Sequence, residues 1–169
     1  MSRTREDRIS SAVRIIGIDP GSRHCGYGLL EIEKRKIVAA GCDVIHIDER
    51  KPLNDRLCIL YEEILKVLNE YKPQYAAVET MFFGKNIQGI LSLGHARGVI
   101  MLALAQQKIP IMEYSPREVK KAVVGNGNAS KQQVRYMVTQ LLPITQSKLT
   151  SDAADALAIA LCHHNRNRM

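Results

Sequence analysis

The run Ile15-Ile16-Gly17-Ile18 is followed at once by Asp19 and then by Pro20-Gly21. A short apolar run closed by turn residues reads as a strand buried in a core. Asp19 therefore stands at the end of a core strand, with the chain turning directly behind it. An ionised carboxylate in that position is costly unless something cationic or hydrogen-bonding meets it. The candidates are a turn amide, a basic side chain, a phosphate-bound magnesium, or a metal ion shared with other acids.

The rest of the chain supplies companions for that strand. Strand patterns cover 13–19, 26–33 and 36–46, separated by turns that contain Gly or Lys, and predict an antiparallel meander. Leu53, Leu57, Leu60, Ile64 and Leu68 recur at helical spacing and predict a helix over 53–71, ended by Pro73. The stretch 74–80 (QYAAVET) predicts a fourth strand and 109–114 (IPIMEY) a fifth. Between them, 86–107 has a helical pattern weakened by Gly89, Gly94 and Gly98. Ser115-Pro116-Arg117-Glu118 and Ser130-x-x-Gln133 are capping boxes that open two further helices, joined through the flexible loop GNGNAS. Thr150 or Ser151 caps a last helix over 151–164. This order describes one α/β domain over 13–165 with a mixed sheet, preceded by a basic, non-periodic tail at 1–12 that is expected to be disordered.

Composition narrows the partners. With 169 residues, 46% apolar and 24% charged, the chain has the balance of a single globular domain. Its 24 Lys+Arg against 17 Asp+Glu give a net charge of +7, which favours a polyanion without naming one. No apolar run is expected to reach the length of a membrane span, and the N-terminus is not signal-like. No membrane partner is therefore expected, and the chain reads as cytoplasmic. Cys25, Cys42, Cys58 and Cys162 are scattered, with no C-x-x-C pair, and read as reduced core residues.

Acids recur where Asp19 sets the pattern. Glu79 closes the fourth strand, and the last helix opens with SDAADALAIAL, which puts Asp152 and Asp155 on one face at i and i+3. Small residues around them let that helix lie close against the sheet. Each acid also has a plainer reading: an Asx turn for Asp19, helix N-terminal preference for Asp152, a lysine partner for Glu79. Several carboxylates side by side resist ionising unless cations are present. Magnesium takes hard oxygen ligands together with substrate phosphate, and two such ions can activate a water and stabilise a leaving oxygen. Acids without a His/Cys cluster argue against zinc.

Basic residues surround the glycine-rich loop. Arg117, Lys120, Lys121, Lys131 and Arg135 lie between 115 and 135 against the single acid Glu118, and Lys85 and Arg97 can extend the track. Such residues position a nucleic-acid backbone without reading its sequence, although a solvated helix face looks the same. Phe82 and Phe83, the only phenylalanines, follow Glu79 closely. One of them belongs in the core; the other, if exposed, can stack on an unpaired base for about 1–3 kcal/mol. His24, His95, His163 and His164 show no metal-ligand spacing, and His163-His164 reads as the solvated end of the last helix.

Five blocks in order, GIDPGSRHCGYG, AVETMFFGKN, LGHARGV, EVKKAVVGNGNASK and SDAADALAIAL, resemble the RuvC family of bacterial Holliday-junction resolvases. That family belongs to the RNase H-like nuclease superfamily, and the resemblance runs from about residue 13 to 165. It implies an RNase H-like mixed five-stranded sheet flanked by helices, in which Asp19, Glu79, Asp152 and Asp155 match the four metal-binding, catalytic carboxylates. It implies that Phe82 is the aromatic used at the junction, and that Lys120 and Lys131 serve DNA binding and catalysis. It further implies a homodimer that uses Mg2+ (or Mn2+), with two ions per active site during catalysis. Such a dimer makes paired symmetric cuts in four-way DNA junctions during recombination, DNA repair and the SOS response. The branch-migration complex RuvA-RuvB is the implied partner.

Three other readings stay open on the residues alone. IGIDPGSRHCGYG is similar to the phosphate turn of actin-like ATPases, for which one domain of 169 residues is short. An RNase H-like enzyme acting on RNA keeps the fold and changes the substrate. A DNA-binding module without activity fits the charge but leaves the acids unexplained.

Overall fold

A computed structural model describes residues 12–80, 87–144 and 149–167. Strands β1 (Val13–Asp19), β2 (His24–Glu33) and β3 (Lys36–His46) form the expected antiparallel meander. Helix α1 (Leu53–Tyr71) leads to β4 (Tyr75–Glu79), and α2 (Ile87–Gln106) to β5 (Ile111–Tyr114). Both of these strands run parallel to β1, and the sheet order is β3-β2-β1-β4-β5. Helices α3 (Pro116–Val124), α4 (Lys131–Leu141) and α5 (Ser151–Asn167) complete the chain. Both capping boxes form as the sequence predicts, on Ser115 and Ser130. Thr150 is the residue that caps α5, its Oγ1 accepting from the Ala153 N–H at 3.3 Å.

Strand alternation divides the core in two. Ile16 and Ile18 of β1 face α1 and α2, against Leu60, Ile64, Ile100 and Leu104. Ile15 faces the other way, into the layer built by α3, α4 and α5. Helix α5 lies at the centre of that layer and is buried nearly all round from Ala153 to His163, as a helix sandwiched between a sheet and two other helices must be.

The seating of α5 depends on glycine in the strands below it. A Cβ at Gly17 would fall on the Ala156 carbonyl oxygen and stand 2.6 Å from Ala160 N. One at Gly26 would collide with the Asp152 backbone, and Gly28 lies under Leu157 in the same way. The small residues of α5 and these strand glycines together let helix backbone touch sheet backbone. The expected loop GNGNAS is also more structured than its composition suggests. Gly125 ends α3 in the left-handed region (φ 85°), and Asn126 Oδ1 accepts from Asn128 N–H at 2.9 Å.

Four expectations are corrected. His163 is not a solvated helix end: it is 1% exposed, with Nδ1 2.8 Å from the Tyr114 hydroxyl, while Nε2 has no hydrogen-bond partner among the described residues. Helix α5 continues beyond the expected end at 164 to Asn167, and Tyr114 of β5 meets its last turns at His163 and Asn167. Cys58 is exposed rather than in the core, while Cys25 and Cys162 are buried. And α2 is long and apolar enough to match a membrane span, because it is apolar on two faces. One face holds Ala96, Ile100, Ala103 and Leu104 in the core; the other exposes Ile87, Leu91 and Leu102. The tail before residue 12 lies outside the described residues.

Substituting Gly17 by Ala should cost about 1–3 kcal/mol or more, the range for overpacking a well-filled site. Urea unfolding would measure it. A Gly41→Ala change, where an added Cβ meets nothing within 4 Å, is the control and should be close to neutral apart from its local strand preference.

Candidate active site

Alternation also fixes where the acids point. Ile18 pairs with Val78 across the parallel β1–β4 ladder, so Asp19 and Glu79 are the next residues on neighbouring strands. Ile15, Gly17 and Ala77 face α5, and by the period of two Asp19 and Glu79 face it as well. Helix α5 lays its first turns over the same strand ends. Asp155 joins Asp19 and Glu79 around a cavity of about 230 Å3, which Lys120, Lys131 and Val119 also line. Asp152 joins Asp19 on the wall of a second, larger cavity of about 910 Å3. Asp19 belongs to both and is the hub of the four.

The electrostatics follow from this crowding. Burial, followed by the charges of Glu79, Asp155 and Asp152, pushes Asp19 up to about 7, and Lys131 only partly opposes the shift. Glu79 is raised too, by burial first and then by Asp155, while Lys131 and Lys120 pull it down. Lys131 Nζ donates to Asp155 Oδ2 at 2.7 Å, and this bond holds the ammonium more firmly protonated. Just behind the site, burial and then the charge of Asp19 push the Cys25 thiol up to about 12, so it offers no thiolate.

The donor set suits a hard divalent cation: four carboxylates, partly buried, short of compensating positive charge. Among the described residues, no three His, Cys, Asp or Glu side chains stand close enough to enclose a metal as they are. Asp155 is instead engaged with Lys131. A cation entering the cluster must take Asp155 from Lys131.

The basic track divides in the same way. Lys120 and Lys131 converge on the acids. Arg117 and Lys121 are exposed on α3, and Arg135 is exposed on α4 with its guanidinium donating to the Leu149 carbonyl. Arg97 lies apart from that track. It is turned inward, paired with Glu113 and donating from Nε to the Glu79 carbonyl at 3.3 Å, so it braces the end of β4. Phe82, Phe83 and Lys85 lie outside the described residues.

Pairing register brings together residues that sequence spacing kept apart. His24 and His46 face each other across β2 and β3, with Nδ1 atoms 3.0 Å apart. The larger cavity unites Arg23, Arg56 and His95 with Asp19 and Asp152. None of these bears a linear motif; Arg56 could have been noticed only as a charge within the apolar pattern of α1.

Residues 15–163 match the family described as Crossover junction endodeoxyribonuclease RuvC. The chain belongs to the RuvC family. The RuvC protein of Brucella anthropi is 47% identical over 159 residues, which cover 94% of this chain and 92% of that one. The RuvC of Afipia carboxidovorans is 45% identical over the same shares. Among solved structures, Thermus thermophilus RuvC in complex with a Holliday junction substrate superposes with a TM-score of 0.85 at 32% identity, covering 93% of this chain and 96% of that one. The RNase H-like expectation for the sheet and its helices therefore holds for this RuvC-family chain.

Asp19 gives the metal-free protein a distinctive pH response. Its folded-state value lies above the ordinary 3.8, so the folded state binds the extra proton. Stability from this group is present at low pH and is lost as pH rises from about 4 through about 7. Asp19→Asn should remove that slope and stabilise the metal-free protein at pH 8 by on the order of 2 kcal/mol, or roughly 4–8 °C in Tm. Thermal melts in EDTA between pH 5 and pH 8 would show it; equal slopes for both proteins would contradict it.

Proposed function

We propose that this chain is a crossover junction endodeoxyribonuclease that resolves four-way DNA junctions by hydrolysing a phosphodiester in each of two symmetric strands, in recombination and DNA repair. The observation that carries this reading is the convergence of Asp19, Glu79, Asp152 and Asp155, from β1, β4 and α5, beside Lys120 and Lys131. Family membership supplies the substrate.

Those four carboxylates are the residues that would hold Mg2+, or Mn2+ in its place, two ions per site during catalysis. The ions would supply an activated water and charge stabilisation at the scissile phosphate. The chain's own residues do the rest. Asp19 must lose its proton for the site to load, and its raised value, about 7, moves that loss from acid to near-neutral pH. Lys131 stays protonated and, once parted from Asp155, is free to meet a phosphate oxygen. Lys120 stands on the Glu79 side to hold the same strand. Val119 and Val134 form the apolar floor that keeps these charges poorly solvated and therefore strong. Lys121, Arg117 and Arg135 are the outer phosphate contacts, and Phe82 is the ring that stacks on a base exposed at the crossover.

A homodimer answers the need for two cuts, because a junction offers two equivalent strands and a twofold dimer two equivalent sites. The exposed face of α2, with Ile87 at 73%, Leu91 at 57% and Leu102 at 53% exposure, is the surface we assign to it. RuvA-RuvB is the branch-migration partner, and the cytoplasm is the compartment.

In magnesium, the protein should cut a four-way junction in preference to duplex DNA, an RNA–DNA hybrid or ATP. Asp19→Asn should lower cleavage by several orders of magnitude while leaving junction affinity within a few fold. Normal cleavage by that variant would sink the assignment, and preference for the hybrid would favour an RNA-directed enzyme. Sedimentation should give a dimeric mass at micromolar concentration, and Leu91→Glu should shift it toward monomer without unfolding the chain.

A further inference from the structure

The charges described above on α3 and α4 stand on one side of the acid cluster. The larger cavity, about 910 Å3, opens on the other side. Asp19 and Asp152 form one of its walls; Arg23, His24, Arg56 and His95 stand on the rest. Two of these basic groups are already engaged. Arg23 pairs with Glu49 at 3.0 Å, at the exposed rim. His24 shares a hydrogen bond with His46.

Arg56 is different. It sits in the first turns of α1, half-buried, and its Nε is buried without a hydrogen-bond partner among the described residues. No carboxylate lies within salt-bridge distance of its guanidinium among the described residues, and neighbouring Asp55 bonds instead to Asn54 Nδ2 at 2.7 Å. A guanidinium with one nitrogen withdrawn from water and no counter-charge beside it is a ready partner for an anion that enters the cavity. Arginine presents a planar fork of donors suited to a phosphate. Among the described residues no carboxylate supplies that anion: the two acids of the cavity, Asp19 and Asp152, belong to the acid cluster and pair with no arginine.

We propose that Arg56 binds a backbone phosphate of the DNA strand next to the one held at Asp19, with Arg23 as an outer contact at the rim. The subsite rests on the nuclease reading given above. The strand then passes between two basic walls, Lys120 and Lys131 on one side and Arg56 on the other. The acids lie between them, and the scissile phosphate is fixed from both directions. Arg56 is a positioning residue: it holds a neighbouring phosphate and touches none of the reacting atoms.

The test uses Arg56→Gln, Arg56→Met and Arg56→Lys in the full-length protein. In EDTA, the slope of log affinity against log salt for a four-way junction should fall by about one ion in the Gln and Met variants, and be kept in the Lys variant. Junction affinity of the first two should fall roughly tenfold or more. In magnesium, KM should rise while kcat stays within about twofold. Their melting temperatures should not fall, and millimolar pyrophosphate should raise the Tm of the wild type but not of the Gln variant. An unchanged salt slope, or a loss of activity that only tracks a fall in Tm in both the Gln and Met variants, would overturn the subsite. A wild-type protein that neither binds nor cuts the junction would overturn the nuclease reading instead, and the pyrophosphate shift would then decide the anion site on its own.

Discussion

The close approach of α5 to the sheet is the contact on which the rest of this structure depends. Helix and sheet normally keep a side chain's thickness between them. Here Gly17 and Gly26 remove that spacing from below, and Ala156 and Ala160 remove it from above. Backbone then meets backbone, and the helix has little freedom to slide, since a shift brings Leu157 or Ile159 against a strand. The site inherits that rigidity. Asp152 and Asp155 stand at the N-terminal end of a helix whose position is set by steric exclusion over the whole length of β1 and β2.

Rigidity at that point has an electrostatic consequence. Four carboxylates held near one another repel, and a flexible scaffold would relax by letting them turn to water. Here burial first, and then the charges of Glu79, Asp155 and Asp152, favour the protonated form of Asp19, whose value moves to about 7. Lys131 relieves part of the repulsion by pairing with Asp155. The same lysine is close enough to Asp19 and Glu79 to lower both. The ammonium thus serves as a provisional counter-charge in a site built for stronger ones.

Arginine serves two opposed purposes around the cluster. Arg97 is spent on structure, tying Glu113 of β5 to the end of β4 and so fixing Glu79. Arg56 has no such tie and faces open space. Net charge in the sequence does not separate the two cases, because both are single arginines in helices. The difference lies in which carboxylates the tertiary structure brings near.

Much of the fold was legible in the sequence, because strand alternation, helical spacing and capping are local. The meander over β1 to β3, the helix over 53–71 and the capping boxes at Ser115 and Ser130 all follow from residues within a few positions of one another. The four acids were legible for a related reason: each marks the end of an element, and element ends collect on one side of a sheet. The expectations that failed concern environment. His163 looked solvated because its sequence neighbours are polar, yet β5 carries Tyr114 across it. Cys58 looked like a core residue, yet its position on α1 is exposed. The sequence by itself determined the elements, their order and the acids at their ends, since short-range sterics and hydrogen bonding decide those. Only the tertiary structure decided which charges are paired, which glycines bear a helix and which histidine is buried, because those depend on what distant segments bring into contact.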